Sequence, residues 1–311
     1  ADIVEQKTDF SCGAAALATV LRQAYWLDVD EEHIIKGMLV NADQDLVRTQ
    51  GFSMLDMKRY VESIGMRARG YKIPPEKLEA VTIPVIAGTG TNDTLHSIHM
   101  TKEATKLGVA GLLVVAPYYN RPPQSGIEAH VRAVAEASHL PVVVYDIPVR
   151  TGRKINTSTL LKLAREVKNV VALKDAAGNP VETANVIAHA PTGFEVYSGD
   201  DGLTLPLMAV GAVGVIGVAT HWAAADHQRM FDRWEAGDVA GAIAINQTLL
   251  ESFAYETGDE SPNPIPSKVM MNLLGLEVGQ CRLPMGPPAD FVAEKAKTVW
   301  ANLQASRQRV S

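Results

Sequence analysis

The sequence predicts an α/β protein built on a parallel sheet, and three observations carry that prediction. From about Pro84 onward one grammar recurs, a short β-branched run, a loop and an amphipathic stretch of roughly 10 to 15 residues, which is the mark of successive βα units. The runs are apolar without alternation, as in Val142-Val143-Val144 and Val170-Val171-Ala172-Leu173, and strands covered on both faces read this way. At 311 residues, 47% apolar and 21% charged, the chain is also long enough to bury a substantial core.

Taken in order, the first eighty-odd residues follow helical periods. Cys12–Tyr25, Glu31–Met38 and Ser53–Ile64 are the helix candidates, the last with Ser53 as a good N-cap and Gly65 as a good stop; only 68–73 resembles a β run. The strand candidates then follow at Pro84–Gly88, Gly111–Pro117, Pro141–Pro148, Val170–Ala176, Glu195–Asp200 and Gly214–Thr220, six in all, with helices between them. Beyond Thr220 the pattern turns all helical, through His221–Glu235, Asp238–Glu256, Pro266–Leu274 and Ala289–Ala305. The expected divisions are therefore 1–83, 84–236 for the βα region, and 237–311 for a C-terminal helical region.

Composition narrows the function classes. The formal charge is −6 with no basic run, so neither nucleic acid nor an anionic membrane is favoured as a partner, and small-molecule chemistry is expected. Cys12 and Cys281 are the only cysteines, far apart in sequence, which suits a reducing, cytoplasmic compartment rather than a disulfide framework. The longest apolar stretch, Leu203 to Ala219, is broken by Pro206 and three glycines and reads as a helix running into a strand, not as a membrane span.

The candidate chemistry centres on Lys174, which ends the run Val170–Leu173 and so falls at the carboxyl end of a buried parallel strand, where βα enzymes place their reacting groups. Apolar surroundings disfavour the ammonium, and the neutral amine can attack a carbonyl to form a Schiff base. Position alone leaves open a lysine that snorkels to solvent or pairs with Asp175. The neighbouring strand ends, 116–122 (Ala-Pro-Tyr-Tyr-Asn-Arg-Pro) and 145–152 (Tyr-Asp-Ile-Pro-Val-Arg-Thr-Gly), add tyrosines able to relay protons and an arginine able to hold a carboxylate in bidentate fashion.

These residues, together with Ala87-Gly88-Thr89-Gly90-Thr91-Asn92, Leu173-Lys174-Asp175, Ser198-Gly199-Asp200-Asp201, Gly214-Val215-Ile216-Gly217-Val218 and Asn263-Pro264-Ile265-Pro266, resemble the dihydrodipicolinate synthase and N-acetylneuraminate lyase family of class I aldolases from about residue 84 to 304. The resemblance implies a (β/α)8 barrel of TIM type. It implies that Lys174 captures pyruvate, that Tyr145 relays protons beside it, and that Tyr119 reaches the site of a neighbouring subunit in a homo-oligomer. It further implies that Arg150 positions the carboxylate of a small aldehyde acid, aspartate 4-semialdehyde in the synthase branch, and that Gly199 and Ile216 shape the pyruvate pocket through their backbones. The implied reaction needs no metal and no organic cofactor.

The sequence departs from the family at its start. Two βα units precede the Pro-Val-Ile-Ala-Gly strand in the family, the second ending in a Gly-Thr-Thr-Gly-Glu run whose threonine links the two tyrosines of the relay; here that run is missing, and only six of eight units are expected. A closed barrel fixes strand number, tilt and shear together, so the loss calls for an open sheet, a swap or a replacement. In their place, Gln6, the run 9–17 (Asp-Phe-Ser-Cys-Gly-Ala-Ala-Ala-Leu), 51–58 and 70–72 resemble the front half of a C39 (papain-like) peptidase domain. There Cys12 would be a nucleophile at a helix start and Gln6 an oxyanion-hole donor, while a small buried thiol is the alternative for Cys12. The chain thus reads as a hybrid joined near Thr82-Ile83-Pro84-Val85. Three readings follow: a pyruvate-condensing lyase, a C39-type cysteine peptidase, and a catalytically inactive hybrid scaffold.

Overall fold

The computed structural model describes residues 29–40, 47, 60, 63, 85–258 and 261–310. They fall into two compact units, one holding the described residues up to 63 together with 268–287, the other holding 85–267 and 288–310. In the first unit, helix α1 (Glu31–Leu39) begins at Asp30, whose side chain accepts the His33 N–H at 2.8 Å, and it buries Ile34 and Met38. Gly37 lies against the Tyr60 ring, a closeness that only a residue without Cβ permits. The strand candidate at 68–73 and the helix candidates Cys12–Tyr25 and Ser53–Ile64 lie outside the described residues, apart from isolated positions of the last.

The second unit carries the six expected strands as one curled parallel sheet, half of a barrel. They are β1 (Ile86–Gly88), β2 (Gly111–Val115), β3 (Val142–Asp146), β4 (Val170–Asp175), β5 (Glu195–Ser198) and β6 (Gly214–Val215), hydrogen-bonded in sequence order. Helices α2 (Thr94–Lys106), α3 (Gln124–Glu136), α5 (Thr157–Glu166) and α6 (Pro180–His189) make the crossovers, with the single turn α4 (Pro148–Thr151) inserted after β3. Leu112, Val114, Val142, Val144, Leu173 and Val196 are buried in one core with helix residues such as Ile127, Val131 and Leu163. Burying each such side chain favours the fold by roughly 1.5 to 3 kcal/mol before entropy is counted.

Strand periodicity puts the alternate residues on the other face. Leu113, Val115 and Tyr145 line a cavity there, and Lys174 is in register between Tyr145 on β3 and Tyr197 on β5. One residue further on, Asp146, Asp175 and Ser198 are in register with one another and face the helical layer, where they tie down the βα loops. Asp146 accepts the Ile155 N–H at 3.1 Å, Asp175 accepts the Ala177 N–H at 2.9 Å and the Thr183 hydroxyl at 2.7 Å, and Ser198 donates to the Asp200 carbonyl at 2.6 Å. The rim that carries the site is held by side chains of the strand ends themselves.

Two expectations change in detail. The last strand was expected to run from Gly214 to Thr220, but it ends at Val215, because the buried Asp201 carboxylate takes the Val218 and Ala219 N–H groups at 2.6 and 3.1 Å, leaving them unavailable to a ladder. Thr220 instead opens helix α8 (Thr220–Glu235). The C-terminal region is helical as expected, with α9 (Val239–Glu256), α10 (Ile265–Leu273) and α11 (Asp290–Val310), but a two-stranded antiparallel hairpin, β7 (Thr257–Gly258) with β8 (Ser261–Pro262), follows α9. A short 3-10 turn (Asp201–Leu203) and α7 (Thr204–Met208) lie between β5 and β6. Among the described residues no helix is long and apolar enough to cross a membrane.

Candidate functional site

Lys174 stands at the carboxyl end of β4 with its Nζ 4.1 Å from the centroid of the Tyr145 ring. Burial holds its pKa below the ordinary lysine value, opposed by the negative charge of Asp201. Burial also raises the Tyr145 phenol, the positive charge of Arg150 acting in the opposite sense. The pair therefore combines an amine that gives up its proton more readily than usual with a phenol that keeps its own. Such a pair can attack a carbonyl and hand a proton to the oxygen that develops.

The cavity in front of them measures about 760 Å³, and its wall includes Gly90, Tyr145, Arg150, Gly199, Asp201 and Glu256. Arg150 sits at its exposed edge, where one guanidinium nitrogen donates to the Asn263 carbonyl at 3.2 Å and, among the described residues, the remaining donors are left for an anion. Gly199 gives its N–H to the Asp175 carbonyl at 2.7 Å. A Cβ there would lie 2.9 Å from Lys174 Cγ and 3.1 Å from its Cε, so glycine is what lets the lysine chain pass.

The remaining expected residues are dispersed. Ile216 is half-buried just past β6, gives its N–H to the Ser198 carbonyl at 2.8 Å, and is not part of the cavity wall. Tyr119 is 89% exposed, at a left-handed φ of 72°, and also stands outside the wall. Thus Tyr145, Arg150 and Gly199 share the cavity wall, Lys174 is not itself part of that wall but lies against Tyr145 and Gly199, and Tyr119 and Ile216 are outside it. Cys12 and Gln6 lie outside the described residues.

Two buried acids in the wall gained no role from the sequence. Asp201 is 1% exposed and Glu256, the last residue of α9, is 3% exposed. Asp201 stands in a motif run already singled out, directly after Asp200. For Glu256 the available signal is the helical period, which puts it three and seven residues past the buried Phe253 and Leu249 on the inward stripe of α9.

A curled parallel sheet with its reactive groups gathered at the carboxyl ends of the strands is the layout of a βα-barrel enzyme. Residues 77–305 match the dihydrodipicolinate synthetase family, and the chain belongs to that family. It is 48% identical over 201 residues to the 4-hydroxy-tetrahydrodipicolinate synthase of Moorella thermoacetica, covering 65% of this chain and 68% of that protein. The structure superposes on dihydrodipicolinate synthase of Cyanidioschyzon merolae solved with lysine bound, with a TM-score of 0.71 and 31% identity over 93% of this chain and 91% of that one. The chloride-inhibited synthase of Acinetobacter baumannii complexed with pyruvate gives a TM-score of 0.67 and 27% identity over 93% and 92%. Residues 1–109 separately match the peptidase C39 family.

Proposed function

We propose that this chain condenses pyruvate with aspartate 4-semialdehyde through a Schiff base on Lys174. The observation that carries the proposal is the half-buried Lys174 amine, its pKa lowered by desolvation, held over the ring of Tyr145, which lines a cavity large enough for a keto acid and an aldehyde acid. The names of the curated relatives and the pyruvate in the Acinetobacter baumannii structure point the same way.

In this reading the neutral amine of Lys174 adds to C2 of pyruvate and Tyr145 delivers a proton to the carbonyl oxygen. Loss of water gives an iminium, loss of a methyl proton gives an enamine, and the enamine attacks the aldehyde carbon. Arg150 holds the carboxylate of the aldehyde acid at the cavity edge through the donors that Asn263 leaves free. Gly199 keeps the wall beside Lys174 clear. Tyr119, exposed and outside the wall of its own cavity, serves a neighbouring copy in a homo-oligomer. The test is aldehyde-dependent consumption of pyruvate by the full chain in a coupled assay; no consumption above the rate without protein would reject the synthase reading in favour of an inactive scaffold.

The C39 match favours a second reading for the first segment, a thiol nucleophile at Cys12 assisted by Gln6. Iodoacetamide at neutral pH distinguishes it. An activated Cys12 labels much faster than Cys281, and equal, slow labelling removes the peptidase reading.

A further inference from the structure

Glu256 is a carboxyl group that the proposed chemistry leaves unused, yet it lines the same cavity as Tyr145 and Gly199. It is 3% exposed, and among the described residues its Oε2 has no hydrogen-bond partner, an unfavourable arrangement for a buried polar atom unless something completes it. Its neighbour Asp201 already holds a backbone donor on each carboxylate oxygen. Its two carboxylate oxygens accept the Val218 and Ala219 N–H groups, and Oδ1 lies 3.6 Å from His227 Nε2, whose ring donates through Nδ1 to the Ala223 carbonyl at 2.9 Å. Gly217 packs so closely on the Asp201 carboxylate that no side chain would fit between them. Asp201 is therefore fixed as the acceptor of the pair, and the proton of the pair belongs on Glu256.

The electrostatics agree with that assignment. Burial, reinforced by the charge and hydrogen bonding of Asp201, pushes Glu256 up to about 10, so it is a neutral acid at physiological pH. The same Asp201 acts on the Lys174 ammonium and links the two groups electrostatically. Two carboxyls sharing one proton beside a reacting centre can both give and take that proton.

We infer that Glu256 is the acid and base of the middle of the reaction, dehydrating the carbinolamine on Lys174 and then forming the enamine. The inference rests on the Schiff-base reading above. In the first step the Glu256 proton passes to the carbinolamine hydroxyl, the C–O bond breaks, water departs, and the nitrogen lone pair closes the C=N bond; the products are the iminium and a Glu256 carboxylate. In the second, that carboxylate removes a proton from the methyl carbon, the C–H electrons form the C=C bond, and the C=N electrons return to nitrogen. Glu256 ends protonated, as it began, and nothing is oxidised or reduced.

The experiment compares wild type, Glu256→Gln and Glu256→Asp in two assays, borohydride trapping with pyruvate after long incubation, and exchange of the pyruvate methyl protons in D2O followed by NMR. Glutamine has the size and neutrality of the protonated acid, so a merely structural Glu256 tolerates it. The expected result is that E256Q traps pyruvate on Lys174 to the wild-type extent while its exchange rate falls at least about 100-fold, with E256D recovering part of the rate. Exchange by E256Q within about threefold of wild type overturns the inference, as does E256D no faster than E256Q when both trap. Failure of wild type itself to form an adduct on Lys174 overturns the Schiff-base reading and this step with it, an outcome distinct from the other two.

Discussion

Gly199→Ala isolates the steric part of the site. The added Cβ would sit 2.9 Å from Lys174 Cγ, 3.1 Å from Ala176 Cβ and 3.1 Å from Lys174 Cε, against an ordinary carbon–carbon contact of about 3.5 to 4.0 Å. Gly199 is not among the glycines with positive φ, so its backbone suits alanine and the change acts through the collision alone. The lysine chain can escape by leaving its rotamer, at about 0.5 to 1.5 kcal/mol, or by carrying its amine about an ångström away, a displacement that costs on the order of 100-fold in rate. The rate of borohydride-trappable adduct formation with pyruvate therefore falls by about twofold to 100-fold. Stability changes by less than about 1.5 kcal/mol, since alanine also narrows the unfolded ensemble by an opposing 0.4 to 1 kcal/mol, roughly. Quenched time courses read by intact mass give the rate, and urea unfolding gives the stability. Trapping by G199A at the wild-type rate would refute the argument, and so would a slow variant that proves to be unfolded.

Two further predictions concern the frame that holds the rim. Burial pushes Asp146 from 3.8 up to about 6, against the opposing pull of the Ile155 N–H and Lys154. The folded state therefore keeps a proton that the unfolded chain releases, stability falls as pH rises from about 4 to about 6, and the loss persists above that window. At 1.36 kcal/mol per unit the span is about 3 kcal/mol, and Asp146→Asn should gain on wild type by that order between pH 4 and 6 in parallel urea titrations; parallel curves would contradict the assignment. Leu173, 1% exposed and in register with Val144 and Val196, should cost about 2 to 5 kcal/mol on truncation to alanine, read by the same unfolding.

Much of this architecture was legible because parallel strands covered on both faces are written as unbroken apolar runs, and the strand cores at 111–115, 142–146 and 170–175 stand where those runs predict. The placement of Lys174, Tyr145 and Arg150 at one end of the sheet was legible for a related reason: each lies at or just past the end of such a run, and parallel neighbours in register bring strand ends together. What escaped was set by distant packing. Asp201 cut β6 short by taking two N–H groups that the local sequence offers to a strand. The hairpin at 257–262 has two-residue strands, too short to show any alternation. Glu256 falls three and seven residues past the buried Phe253 and Leu249 on the inward stripe of α9, unlike the exposed Glu251, but that this stripe ends at a cavity depends on what the end of α9 packs against.

The description of Lys174 as the carbonyl-capturing residue is tested most directly by reducing the full chain with borohydride in the presence of pyruvate and mapping the modified peptide by mass. One stoichiometric adduct on Lys174, absent when Lys174 is replaced by alanine and absent without pyruvate, is the predicted result. An adduct spread over surface lysines, or none at all, would contradict it.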